Sequence, residues 1–293
     1  MITKFALIIG SAKSGTSSLF SYLAEHPDIA ACSEKESQFF SDRQLFKRGF
    51  EFYQNLWSWN AGEHRVALEA TPNYTRATNP NMDKAPHNIA KFQAATGAEL
   101  RFIYIMRDPL ARIESHYTHL EAWGQEPRTK PYAEGLSEEI MDVSKYAMQL
   151  DEYRCRFGAD NILLLNFEDL KERPAELLQQ VCQFLQVDDR YQFKSLDTVY
   201  NSHKERKKVF IPGWNNLRQT NLLKAIARAA PESGKETFRN LFGKKVERKI
   251  VLTPAERDYA FNYLQDDLHR LATEYQVDTS RWNLPQSVMK NRV

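Results

Sequence analysis

Nine residues near the N-terminus, Gly10-Ser11-Ala12-Lys13-Ser14-Gly15-Thr16-Ser17-Ser18, narrow the possible folds further than anything else in the chain. They follow a five-residue apolar run, Phe5–Ile9, which reads as a buried strand, and they open a helical pattern from Thr16 to His26 that Pro27 ends. Strand, glycine-containing loop and helix in that order make an anion cradle. Glycines let backbone N–H groups turn inward, and the new helix points its positive end at the ligand. Thr16, Ser17 and Ser18 add hydroxyl donors. A strand–helix turn that holds no ligand is the alternative for the loop taken alone.

Gly10 and Gly15 have the spacing of a Walker A loop, but Thr16 stands where that motif has its lysine, and the lysine lies three residues upstream at Lys13. A nucleoside-triphosphate hydrolase needs its lysine on the β- and γ-phosphates and an acid for magnesium. Here the later strand Phe102–Met106 runs into Arg107-Asp108-Pro109, so the first polar group at its end is a cation. Asp108 before Pro109 reads as a helix cap and first helical residue, opening a helix to about Trp123.

Other segments continue the alternation. Val66–Leu68 and Ile162–Leu165 are strand candidates; Ser137–Phe157, Pro174–Leu185 and Pro254–Tyr275 carry helical spacing. Strands alternating with helices predict an α/β fold, a mostly parallel sheet with helices on both faces. With no repeat or Gly/Ser linker, residues 1–293 read as one domain. It has an irregular basic loop at about 188–212 and a helical C-terminal part over 213–293.

The overall charge of +2 hides an asymmetry, since residues 202–249 hold 13 Lys/Arg against 4 Glu. That excess favours an anionic partner; a solvated helix surface is the competing explanation. The three cysteines, Cys32, Cys155 and Cys182, are far apart and odd in number, which argues against a disulfide framework and suits a reducing, cytoplasmic setting. No apolar run approaches the ~20 residues of a membrane span. The Phe5–Ile9 run is shorter than the roughly 7–15 residues of a signal-peptide core, so neither cleavage nor an anchor is expected.

Several ordered motifs resemble one family. Lys13-Ser14-Gly15-Thr16-Ser17-Ser18-Leu19 resembles the 5′-phosphosulfate loop of sulfotransferases, and Arg107-Asp108-Pro109 with Ser115 resembles their 3′-phosphate motif. Glu36-Ser37-Gln38-Phe39-Phe40 and Gly49-Phe50-Glu51-Phe52-Tyr53 are similar to segments of the heparan sulfate N- and 3-O-sulfotransferases. So is Glu69-Ala70-Thr71-Pro72-Asn73-Tyr74, although Ala70 stands where the 3-O branch has a lysine. The resemblance implies a P-loop-like fold and 3′-phosphoadenosine 5′-phosphosulfate as donor, with no metal required. The phosphosulfate would lie on Ala12–Ser18 and the 3′-phosphate on Arg107, whose planar fork suits phosphate, helped by Ser115 about two turns into the helix. Lys204 and Arg206 occupy a region where the family closes a loop over that phosphate.

Sulfuryl transfer needs a cation at the leaving oxygen and a base for the acceptor proton. Lys13 suits the first task. For the second, the resemblance implies Glu36, with His119 as the other candidate. Without the resemblance, Glu36 would read as a solvated acid beside Glu34 and Lys35. His116 and His119 share a helix face but lack a third ligand for zinc. Tyr74, Trp123, Phe210 and Trp214 are aromatic candidates for an acceptor cleft, with ordinary packing as their alternative. The expected partner is a carbohydrate, lipid or small-metabolite acceptor, and no nucleic acid. A P-loop nucleotide kinase and a non-catalytic polyanion-binding protein are the competing functions.

Overall fold

A computed structural model describes residues 2–76, 78, 84–122, 136–196, 207–209, 243–245 and 249–284. Its centre is a five-stranded sheet in the order β2-β3-β1-β4-β5, with every pairing parallel. The strands are β1 (Lys4–Gly10), β2 (Ile29–Ala31), β3 (Val66–Ala70), β4 (Glu99–Met106) and β5 (Ile162–Asn166). β1 lies in the middle, with Phe5 opposite Ala67 of β3 on one side and Leu100 of β4 on the other. From β1 the chain goes first to the edge at β2, returns to fill the gap with β3, then crosses to β4 and β5 on the other side. The order therefore reverses at the β1/β4 boundary, the place where open α/β sheets hold ligands beyond the strands' carboxyl ends.

The uninterrupted apolar run of β1 has a physical cause, because a strand covered on both faces has no solvent side to mark with polar residues. Phe5, Leu7 and Ile9 enter one core cluster, while Ala6 and Ile8 enter the other. Helix α1 (Thr16–Leu23) and helix α9 (Pro174–Leu185) cover the second face. The first is covered by α3 (Gly49–Gln54), α4 (Ala85–Thr96), α5 (Pro109–Ala122), α7 (Tyr146–Phe157) and α10 (Pro254–Glu274). An aromatic knot fills it. Phe39 stacks on Tyr53 at 4.5 Å, and Phe5 meets Trp57 and Phe92 edge-on.

The helix expected over Ser137–Phe157 is two helices, α6 (Glu138–Asp142) and α7. Tertiary partners break it. The Ser144 hydroxyl accepts from the Arg112 guanidinium, and the Asp267 carboxylate accepts from the N–H groups of Ala147 and Met148, 3.0 and 2.8 Å away. A carboxylate from α10 thus does the work of an N-cap for α7. Short helices α2 (Arg43–Phe46) and α8 (Phe167–Glu172) and a 3-10 turn at Pro72–Thr75 complete the connections. Inside the basic stretch, β6 (Lys207–Val209) pairs antiparallel with β7 (Gly243–Lys245). Among the described residues no helix is long and apolar enough to cross a membrane.

Candidate functional site: an anion cradle at two strand ends

The loop after β1 is tied down from below. Ser11 N–H donates to the Ile105 carbonyl of β4 at 2.8 Å, and the Ser11 and Ser14 hydroxyls bond each other at 2.6 Å. Above them the backbone turns left-handed twice, at Lys13 (φ 74°) and Gly15 (φ 92°), a geometry that gathers successive N–H groups into one concavity. Gly15 is required twice over. Its φ disfavours a side chain, and an added Cβ would lie 2.6 Å from the Phe167 ring. The first intrahelical bond of α1 goes from Leu19 N–H to the Gly15 carbonyl, so the N–H groups of Thr16, Ser17 and Ser18 stand at the open helix end. No acidic residue sits in that first turn to compete for them.

Arg107 leaves β4 beside this loop. Its guanidinium donates to the Lys13 carbonyl at 3.3 Å and lies over the Phe167 ring at 4.9 Å. Phe167 therefore packs under Gly15 and Arg107 at once. Among the described residues no carboxylate pairs with Arg107. Asp108 is the expected cap. One oxygen accepts from Ala111 N–H at 2.8 Å and the other from Asn283 N–H at 2.6 Å. Both oxygens are thus committed to backbone rather than held out toward a cation.

Residues 112, 115, 116 and 119 fall on one face of α5 by their spacing. Ser115 is buried there, eight residues after Arg107. Arg112, fully buried, reaches the Ala12 carbonyl at 3.4 Å and the Nδ1 of His116 at 3.2 Å. An arginine can only donate, so Nδ1 accepts and the neutral ring carries its proton on Nε2. Burial first, then the positive charges of Arg112, Arg76 and Lys13 and the proximity of His119, hold the His116 pKa down to about 2. Lys13, His116 and His119 therefore share one electropositive neighbourhood.

Glu36 reaches the site through its neighbour. Lys35 Nζ donates to the Ser17 hydroxyl at 2.5 Å and lies 3.5 Å from a Glu36 carboxylate oxygen. Glu36 itself is exposed, on a left-handed backbone (φ 60°), with its N–H on the Ala70 carbonyl at 3.0 Å. Below it lies a buried acid. Glu69 accepts hydroxyls from Ser37 and Tyr53, both at 2.5 Å, and from Thr71 and Tyr74, both at 2.8 Å. This hub fixes the turn that presents Glu36. It also makes Tyr74 a core residue rather than a cleft wall, with its hydroxyl held and 2% of its surface exposed. Trp123, Lys204, Arg206, Phe210 and Trp214 lie outside the described residues.

Sequence reasoning missed Lys35, Glu69 and Arg112. Lys35 adjoins a residue already singled out, Glu69 sits in a motif quoted for its likeness alone, and Arg112 follows Arg107 by five residues on the same motif. None has a spacing that announces its partner.

Fold and loop together define a class: parallel α/β proteins with a glycine-containing loop from the first strand into the first helix. The chain belongs to the sulfotransferase family, and the family model described as the sulfotransferase domain matches residues 4–246. Over 218 residues, 68% of this chain and 24% of the relative, it is 26% identical to the bifunctional heparan sulfate N-deacetylase/N-sulfotransferase 3 of Homo sapiens. Over 193 residues, 61% of this chain and 45% of the relative, it is 30% identical to the heparan sulfate glucosamine 3-O-sulfotransferase 3A1 of Mus musculus. The chain spans less than half the length of these curated relatives. The crystal structure of a sulfotransferase from Alicyclobacillus acidocaldarius shares the fold, with a TM-score of 0.62 at 21% identity, covering 94% of this chain and 97% of that one.

Proposed function

We propose that this chain moves a sulfuryl group from 3′-phosphoadenosine 5′-phosphosulfate to a hydroxyl or amine of a carbohydrate, lipid or small-metabolite acceptor. The observation that supports this reading is the hydrogen bond from Arg107 to the Lys13 carbonyl, which sets these two cationic residues close together beyond the ends of the paired strands β1 and β4. A donor with negative charge at both ends of one adenosine suits a site with two cations. The heparan sulfate relatives favour a carbohydrate among the acceptors.

In this reading Ala12–Ser18 hold the phosphosulfate, while Arg107 and Ser115 hold the 3′-phosphate, joined by Lys204 and Arg206. The acceptor oxygen or nitrogen attacks sulfur as the bond from sulfur to the 5′-phosphate oxygen breaks, and 3′-phosphoadenosine 5′-phosphate leaves. Lys13 stabilises the charge that builds on that leaving oxygen. Glu36 takes the acceptor proton, with Lys35 orienting it, and His119 is the alternative base. In this reading side-chain cations handle the donor's charge, without a metal. Free cysteines at 32, 155 and 182 agree with a reducing, cytoplasmic setting.

Calorimetry with 3′-phosphoadenosine 5′-phosphate tests this. Binding should persist in EDTA and fall with Lys13→Ala. Arg107→Ala should cost about 2–5 kcal/mol if the contact is desolvated. Glu36→Gln should cut turnover and spare donor affinity. If ATP binds as tightly as the 3′-phosphorylated ligand, the donor assignment is wrong. Salt-dependent binding of polyanions without any need for Lys13 would instead favour a non-catalytic protein.

A further inference from the structure

Arg112 has no exposed surface, and each of its partners among the described residues is neutral. Nε donates to the Ser144 hydroxyl at 2.5 Å, Nη2 to the Ile140 carbonyl at 2.5 Å, and Nη1 to the Ala12 carbonyl and His116 Nδ1. Buried guanidinium groups are ordinarily matched by a carboxylate, because a cation taken out of water needs an opposing charge. Of the ionisable groups that act on it, Tyr146 and Tyr104 are held neutral by pKa values raised through burial, and Arg76 and Arg107 carry the same sign. Burial lowers its pKa only to about 10, so it stays a cation at neutral pH. A cation held dry behind the loop, with Nη1 on the carbonyl before Lys13, finds no carboxylate among its described partners.

We infer that Arg112 is a positioning residue for the donor's 5′ end: it holds the Ala12–Lys13 peptide so that the loop N–H groups face inward, and the bound 5′ anion supplies its counter-charge. The inference rests on the sulfotransferase reading of the site. It assigns Arg112 a share of donor affinity distinct from that of Arg107, which would act at the other end of the nucleotide.

A ligand-by-variant cycle separates this from a purely structural knot between α5 and α6. Affinities of the full chain for adenosine 3′,5′-bisphosphate and for adenosine 3′-monophosphate would be measured by competition calorimetry, in wild type and Arg112→Met. Losing the buried cation should weaken the bisphosphate by at least about 10-fold and the monophosphate by less than about 3-fold. Equal losses on the two ligands, or no loss, overturn the inference. Arg112→Lys keeps the charge but gives up the fork, and should lose about 5-fold on the bisphosphate alone. It decides the matter if the Met variant does not fold, and equal losses there also overturn the inference. A wild type that binds neither nucleotide sinks the donor reading itself, and this inference with it. A wild type that binds both, with variants blind to the 5′-phosphate, sinks the inference alone.

Discussion

Acid should loosen this fold through one imidazole, His116. In the unfolded chain it titrates near 6.5. In the folded chain it is 8% exposed, accepts from Arg112, and has its pKa held down to about 2. The unfolded state therefore binds the proton more readily. The neutral ring's full contribution is present above pH 6.5 and is lost as pH falls from there toward the folded value. At pH 5.0 the linkage amounts to about 2 kcal/mol, and at pH 7.5 to about 0.1 kcal/mol. The first figure barely depends on the folded pKa, provided it lies below roughly 4. His116→Asn keeps an acceptor near the Nδ1 position and removes the titration. Urea melts of both proteins, followed by tryptophan fluorescence at each pH, give a difference of differences from which the other titrating groups cancel. The variant should gain about 2 kcal/mol on wild type between pH 7.5 and 5.0. A gap between the two proteins that is the same at both pH values would refute the reasoning.

Gly15→Ala forces a side chain onto a backbone at φ 92° and into the Phe167 ring, and should cost about 2–4 kcal/mol in urea denaturation, with weakened nucleotide binding. Glu69→Ala leaves four hydroxyls without their shared acceptor and opens a cavity; a loss of roughly 3–5 kcal/mol is expected in the same assay. Asp267→Ala uncaps α7 and should cost about 1–2 kcal/mol, with hydrogen exchange accelerated at Ala147 and Met148. Lys35→Ala should lower donor affinity a few-fold through the lost contact with Ser17, and little change in affinity would remove Lys35 from the site.

The sheet was legible because its inner strands, β1, β3 and β4, are buried on both faces. Phe5–Ile9 and Phe102–Met106 are unbroken apolar runs, and Pro174 and Pro254 mark helix starts that the structure keeps. Strand β2 is three residues long, too short for its pattern to stand out. The break between α6 and α7 escaped notice because the residues responsible, Arg112 and Asp267, are distant in sequence. The same holds for the site. Lys13 and Arg107 announce themselves at strand ends, whereas the charge of Glu69 looks like any surface acid until four hydroxyls are found around it. Chemistry written into a local motif can be read in one dimension; chemistry assembled by packing cannot.

Asn283 N–H ends on Asp108, and the neighbouring Trp282 ring packs 5.8 Å from Tyr146, whose hydroxyl grips the Arg107 carbonyl at 2.7 Å. Residues some 36 positions past the matched sulfotransferase region thus brace Arg107, the arginine proposed to take the nucleotide's 3′-phosphate. A fragment trimmed at residue 246 would keep every motif and forfeit the strap that aims one of them. For this molecule the working unit is longer than its recognisable signature.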